Sequence, residues 1–255
     1  MCCNTSLDEE GQALVAIFFL LIPAALYILG LGEGKKSRRF FFAGLFLHSL
    51  SILQRGLTLG MIPLTEKHDN ISFTALCMAL IYWRFSMKRG ARDLAQYALP
   101  LISLVLLVAV TYAPINTISP FQRSPWFFLH MFFHFVSYAM FGISSCIGLL
   151  YVINGDSESE ALQYQGAAYG WIMFSIALVA GSIWFFTAYG TYWLWTSKEL
   201  WITLTWFYYG AYLHARYIKG FSRIGTVVMG ILGFGVALFT YFGVGTVIPS
   251  PPTQF

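Results

Sequence analysis

The chain has 255 residues, of which 58% are hydrophobic, 18% aromatic and only 10% charged. Because a soluble domain carries roughly 25% charged residues, this composition excludes a soluble globular fold. The long unbroken apolar runs exclude the alternating pattern of a membrane β-barrel. We therefore predict an all-α, polytopic membrane bundle. The net charge of +4 lies mostly in connectors and indicates orientation in a lipid bilayer, not nucleic-acid binding.

Apolar runs of about 20 residues predict eight transmembrane helices. In chain order they cover residues 13–31, 40–60, 71–86, 94–113, 126–153, 167–187, 200–217 and 224–247. The polar stretch 154–166 is interpreted as a connector. The first ten residues, MCCNTSLDEE, lack the basic region of a signal peptide, so no cleavable signal is predicted. Residues 1–255 are predicted to form a single transmembrane domain, with residues 188–200 as its external tryptophan-rich segment.

Lysine and arginine are distributed unequally between the two sets of connectors. Eleven of the fifteen follow odd-numbered spans, in the Lys35–Arg39, Arg84–Arg92 and Arg216–Arg223 regions, and four fall on the other side. Since the rich side of a membrane protein faces the cytoplasm, both termini and the segment before the seventh span are predicted to be extracytoplasmic.

That segment, Tyr189–Trp201, reads YGTYWLWTSKELW. Tryptophan beside lysine and glutamate is typical of a membrane–water interface, where an indole keeps an apolar body and one N–H donor. Two interpretations stay open. The segment is either an aromatic belt that only anchors helices, or a flat surface that holds a large planar ligand.

Four of the five histidines lie in or at predicted spans, which makes them candidate functional residues. His130 and His134 are four residues apart and share one helix face near the outer end of the fifth span. His48 and His214 lie toward the cytoplasmic side, and helix-packing hydrogen bonds are the alternative for each histidine. A neutral imidazole is a common axial ligand of haem iron. His68, between Lys67 and Asp69, is predicted to be solvated.

A resemblance to a known family adds to this pattern. The run GTYWLWTSKELWITLTWFYYGAYLHAR (190–216) resembles the tryptophan-rich signature of the CcsA/ResC branch of cytochrome c assembly proteins, roughly WGxYWxWDPKExWxxxTWxxYAxYLHxR. LHSLSILQRGLTLGMIP (47–63) is similar to the second span of that family. The stretch from His130 to Ala139 is similar to a span written HVxxxxxSYAxF, and YFGVG (241–245) is similar to the last span.

The resemblance implies a membrane protein that binds haem b noncovalently and presents it to apocytochrome c outside the cytoplasm. By position, His130 matches an external haem ligand and His214 an intramembrane ligand, with His48 and His134 as further candidates. The matching haem-facing residues are Trp193, Trp195, Lys198, Glu199 and Trp201. The resemblance also implies a CcsB/ResB-like membrane partner. The two proteins would form a haem-lyase complex in which no protein side chain acts as a nucleophile. The membrane implied is a bacterial cytoplasmic membrane, or a thylakoid if the gene is plastid-encoded.

Two departures from the family pattern stand out. The Asp-Pro pair of the signature is Thr196-Ser197 here, and no histidine follows the last span, where the chain reads GTVIPSPPTQF. The outer site then lacks one axial ligand. Either a partner supplies that ligand, or the external haem iron is five-coordinate. The third alternative is a repurposed relative, either a HemX-like regulator of haem synthesis or a b-haem subunit of a quinol-linked complex. A structural anchor is the blandest interpretation.

Overall fold

A computed structural model describes residues 19–32, 34–112, 118–218 and 220–244. Its α-helices, in chain order, are α1 Phe19–Leu29, α2 Lys35–Leu59, α3 Lys67–Ser86, α4 Ala95–Val110, α5 Pro125–Asn154, α6 Ser157–Tyr189, α7 Ser197–Ala215 and α8 Arg223–Leu238. Short 3₁₀ turns lie at Arg89–Ala91 and Pro120–Arg123, and a π-helical turn at Phe239–Gly243 continues α8. These eight helices confirm the predicted polytopic membrane fold.

Length and apolarity support the membrane assignment. Within the described part of the chain, four helices are long and apolar enough to cross a bilayer: Lys35–Leu59, Pro125–Asn154, Ser157–Tyr189 and Arg223–Gly243. Helices α1 and α4 are shorter apolar helices. The start of the predicted first span, the end of the last, and the proline-rich tail lie outside the described residues.

The prediction of a connector over 154–166 is wrong. Helix α5 ends at Gly155, whose φ of 66° is left-handed and whose N–H donates to the carbonyl of Tyr151 at 2.8 Å. Asp156 then caps α6 by accepting the backbone N–H of Glu158 at 3.0 Å, with Glu158 and Glu160 in the first turn. Carboxylates near a helix N-terminus stabilise it. The helix therefore begins ten residues before its apolar run.

The described residues form two compact units. The second unit holds the turn at Arg89–Ala91 and helices α5 to α8. Helix α5 packs along α6 and also against α8, and α7 packs on α6 and α8. In its core, the rings of Phe141 and Tyr209 stack at 3.6 Å. This unit carries the tryptophan-rich segment and three of the predicted site histidines. Whether the whole chain is one domain stays a prediction.

The first unit holds α1, α2, α4 and nearly all of α3. Its interior includes a buried ion pair: Arg55 Nε lies 2.9 Å from Asp69 Oδ1, and both side chains are almost fully buried. The prediction of a solvated His68 is wrong. The side chain is buried in the first turn of α3, and its Nδ1–H donates to the carbonyls of Ala109 and Tyr112, each at 3.1 Å. It lies at the C-terminal end of α4, where the Ala109 carbonyl also accepts the backbone N–H of Tyr112 at 3.1 Å.

Candidate functional site

An aromatic cavity lies in the second unit, under the connector between α6 and α7. Its volume is about 230 Å³. Helix α5 contributes one histidine near its N-terminus, and α6 and α7 contribute the rest of the wall with the connector. The lining residues are His130, Leu178, Gly181, Trp184, Phe185, Tyr189, Tyr192, Trp193, Lys198, Glu199 and Ile202.

The side chain of His130 forms part of the cavity wall. Its Nδ1 lies 2.9 Å from the carbonyl oxygen of Ala177 on α6, and because a carbonyl can only accept, Nδ1 carries the proton. Nε2 is then the nitrogen with a free lone pair. The ring of Trp184 lies parallel to the imidazole, at 9° and 6.3 Å between centroids. Helix α6 therefore orients the His130 ring, and Nε2 can bind a metal or accept a proton.

His134 lies one helical turn deeper, with its ring 5.4 Å from that of His130. It is only 7% exposed, packs against Tyr138 at 4.5 Å and Phe174 at 5.3 Å, and does not line the cavity. Among the described residues its buried Nδ1 has no hydrogen-bond partner. Because His130 and His134 share one face of α5, both rings would approach a shared ligand from the same side.

The three predicted tryptophans occupy different positions. Trp193 lines the cavity, and within the described chain its buried Nε1 has no acceptor. Trp195 is 69% exposed and has a left-handed φ of 43°, an uncommon conformation for a bulky residue. The two rings meet edge to face at 6.1 Å. The Trp201 ring instead packs on the ring of Phe239, with 4.6 Å between centroids, and so connects α7 to the π-helical turn that continues α8.

Lys198 and Glu199 reach the cavity from the first turn of α7. The helix begins at Ser197, and Thr196 occupies the N-cap position with an extended backbone. The Thr196 hydroxyl donates to the carboxylate of Glu199. The Thr196 side chain accepts no backbone N–H of the first turn. The helix nevertheless begins at Ser197, so the Thr196-Ser197 departure leaves both charged residues in the first turn of α7 at the wall.

His48 and His214 belong to different units, and each is described on its own. His48 is fully buried in the first unit, with Nδ1 3.2 Å from the Tyr27 hydroxyl and Nε2 3.2 Å from the Ser72 hydroxyl. His214 is exposed near the end of α7, with Nδ1 2.8 Å from the carbonyl of Gly210. A ligand role at His48 would have to displace one of its hydrogen bonds, whereas His214 keeps Nε2 free of any hydrogen bond among the described residues.

Sequence reasoning missed two important residues of the cavity wall, Gly181 and Trp184. Both lie on α6, whose C-terminal half returns along α5 to its N-terminal half because a two-residue link joins the helices. His130 lies 25 residues before Gly155, and Gly181 lies 25 residues after Asp156. In an antiparallel helix pair, residues at equal distance from the link lie side by side. Recognising the Gly-Asp pair as the link would have identified this neighbourhood.

The fold and cavity define a polytopic membrane protein with a histidine-bearing aromatic site. A family model described as cytochrome C assembly protein matches residues 16–250, most of the chain. The chain belongs to that family. This confirms the resemblance found in the tryptophan-rich signature and makes it a CcsA-type protein.

Individual relatives agree with this assignment. The cytochrome c biogenesis protein CcsA of Chlamydomonas reinhardtii is 26% identical over 78% of this chain and 62% of its own length. The protein of that name from Prochlorococcus marinus strain MIT 9312 is 24% identical, over 94% of this chain and 93% of its own.

A solved structure, the cytochrome c haem lyase CcmF, has a similar fold, with a TM-score of 0.70 over 92% of this chain. At 15% sequence identity this likeness shows the fold alone. The chain spans only 46% of that structure's length and 62% of the Chlamydomonas relative. The activity and partners of those whole proteins therefore come to this chain as proposals.

Proposed function

We propose that the protein holds haem b noncovalently at the cavity beneath Tyr189–Trp201 and presents it for attachment to apocytochrome c. The observation that carries the proposal is the free Nε2 of His130 in an aromatic wall. Family membership supplies the context, since the chain matches cytochrome C assembly proteins over residues 16–250.

The residues of the cavity fit a porphyrin better than a bare metal ion. A bare transition metal needs three or four protein ligands, and the described residues contain no cluster of three His, Cys, Asp or Glu able to hold one. Haem iron needs only one or two, because the macrocycle supplies four. His130 would hold the haem iron through Nε2, and Trp184 and Trp193 would form the aromatic wall beside the haem. The buried Trp193 Nε1–H, which has no acceptor within the described chain, would be available to a polar group of the ligand.

The size of the cavity favours presentation over burial. A site that encloses a drug-sized ligand measures roughly 300–1,000 Å³, whereas this one measures about 230 Å³. It would cover one part of a flat macrocycle and leave another part accessible. When bound, haem supplies two vinyl groups to which the client's CxxCH thiols add. The chain itself would bind and orient the haem and would exclude water from one side of it. Binding, orientation and exclusion of water are what a protein contributes to the chemistry of a cofactor.

Partners follow from the ligand count. His130 is the histidine that matches the external ligand of the family by position, and we expect His134, one turn away on the same face of α5, not to supply a second ligand. A CcsB/ResB-like membrane protein would supply the second ligand and the docking surface for apocytochrome c. No specific observation favours the regulator, the quinol-linked subunit or the structural anchor.

Orientation has a direct test. In a background with Cys2 and Cys3 replaced by serine, Ser197→Cys should react with a membrane-impermeant maleimide in intact cells. Lys36→Cys, on the predicted cytoplasmic side, should react only after lysis. The reason is the lysine and arginine bias, which sets helix orientation. Labelling of Lys36→Cys but not Ser197→Cys in intact cells would reverse the topology and remove the site from apocytochrome c.

The inner haem site is tested by spectroscopy of the purified protein. We expect a b-type haem to co-purify and His214→Ala to lower haem affinity at least about tenfold, which corresponds to about 1.4 kcal/mol, and with it the occupancy of the purified protein. Tyr217→Ala truncates another exposed side chain just beyond α7 and should leave occupancy within twofold. Full occupancy with an unchanged spectrum in His214→Ala would rule out this ligand.

A further inference from the structure

We infer that Gly181 is a positioning residue for His130, and that it keeps Nε2 of this imidazole turned into the cavity. The inference rests on the proposed function, since it concerns how the same site is oriented. Gly181 does not touch the ligand in this role. It leaves the space that the histidine ring occupies.

The close approach of the two helices requires a residue without a side chain at position 181. A Cβ atom built there would lie 2.5 Å from His130 Nδ1, 2.9 Å from Cε1 and 3.1 Å from Cγ. These contacts run along one edge of the ring, so a small side-chain rotation cannot relieve them all. Glycine inside a helix is destabilising by roughly 0.5–1 kcal/mol relative to alanine, so helix stability alone does not favour it here.

Three residues of α6 together form a slot for the ring. The Ala177 carbonyl accepts a hydrogen bond from Nδ1–H at 2.9 Å. Gly181, one turn later, leaves the space beside Nδ1, and Trp184 lies parallel to the ring at 9°. Residues at these spacings share one helix face. The slot therefore fixes both the position of the ring and its tautomer.

The tautomer matters for ligation. A histidine that ligates a metal through one nitrogen usually donates its other N–H to a carbonyl or carboxylate, which orients the ring and raises its basicity. Here the Ala177 carbonyl takes that role for Nδ1, and Nε2 remains for iron. A methyl group at position 181 would displace the ring from this carbonyl and turn Nε2 away from the cavity. Without the hydrogen bond to Ala177, the proton would no longer be held on Nδ1.

The test uses the full-length purified protein titrated with haemin, in wild type and Gly181→Ala. Loss of a group that orients a ligand lowers metal affinity by about 10–100-fold, and we expect a fall in that range for the His130-dependent haemin. The Soret and electron paramagnetic resonance spectra should shift to those of iron without this imidazole. Gly235→Ala on α8 is the matched control, because a Cβ there meets nothing within 4 Å. It should bind haemin within twofold of wild type.

The double variant His130→Ala/Gly181→Ala separates positioning from packing. With the imidazole gone, the alanine methyl has room, so the second change should lower neither haemin binding nor melting temperature any further. If Gly181→Ala alone is unstable, the double variant should restore stability. A double variant as unstable as the single one would overturn the inference.

A wild-type spectrum and haemin affinity in Gly181→Ala would also overturn it. Failure of the proposed function is distinguishable. In that case, wild type itself shows no haemin component that His130→Ala removes.

Discussion

His130→Ala should lower haemin affinity at the tryptophan-rich segment by at least about 100-fold, which corresponds to ~2.7 kcal/mol. His130 is the histidine that lines the cavity, and its Nδ1 is held by the Ala177 carbonyl so that Nε2 is free to ligate. Replacement by alanine removes the iron ligand but leaves the aromatic wall. Residual stacking on the tryptophans should retain weak binding with a changed spin state.

Two additions to this experiment define what the histidine does. Millimolar imidazole should enter the space left in His130→Ala and restore a nitrogen-ligated spectrum. His134→Leu is the matched control one turn deeper; it preserves bulk, and its buried Nδ1 has no described partner to lose. It should bind haemin as wild type does. Loss of the haemin spectrum in His134→Leu, with retention in His130→Ala, would reverse the ligand assignment.

The second large effect concerns stability. Arg55→Leu should destabilise the protein by about 3–5 kcal/mol, because removing one partner of a buried ion pair leaves an uncompensated charge. The Arg55 and Asp69 side chains are 11% and 0% exposed, with Nε and Oδ1 2.9 Å apart. Thermal and denaturant unfolding in detergent should show a clear loss for this variant.

A second ion pair of the same chain provides the comparison. Arg216 and Glu160 lie 3.2 Å apart with side chains 32% and 10% exposed. Arg216→Leu should cost less than Arg55→Leu, because about a third of the Arg216 side chain is in contact with solvent, which screens its pairing with Glu160. The double variant Arg55→Leu/Asp69→Leu should recover much of the loss, since apolar replacement of both partners is often neutral. Equal destabilisation by Arg55→Leu and Arg216→Leu would show that the buried pair does not hold the first unit together.

The helices were predictable because they follow apolar runs of the sequence, and four of those described are long and apolar enough to cross a bilayer. The start of α6 was not, because hydropathy detects where lipid contact begins rather than where backbone hydrogen bonding begins. Its first ten residues, SESEALQYQG, are polar yet helical, and the signal for their helix was the cap at Asp156. Reading the Gly-Asp pair as a C-cap followed by an N-cap would have corrected the boundary.

His68 illustrates a different gap. Its neighbours Lys67 and Asp69 suggested a solvated loop, but Asp69 pairs with Arg55 and His68 closes the end of α4. These partners lie 14 and 41 residues away in sequence. No local pattern encodes such long-range pairing, so composition alone led to the wrong environment.

For the candidate site, sequence identified the chemistry and the structure supplied the neighbours. His130, Trp193, Lys198 and Glu199 were predicted and do line one cavity. Gly181 was missed because a glycine in an apolar run has no distinctive local signal. Its importance lies in what a Cβ would meet across the helix pair, which is a property of packing.

The central claim is that this protein presents haem for cytochrome c assembly, and deletion of its gene in the native host tests it most directly. Haem staining of membrane proteins after denaturing electrophoresis detects only covalently bound haem. The account predicts that c-type cytochromes disappear in the deletion strain, return with the wild-type gene, and do not return with His130→Ala expressed at the same level. A deletion strain with a full complement of haem-stained cytochromes c would contradict it.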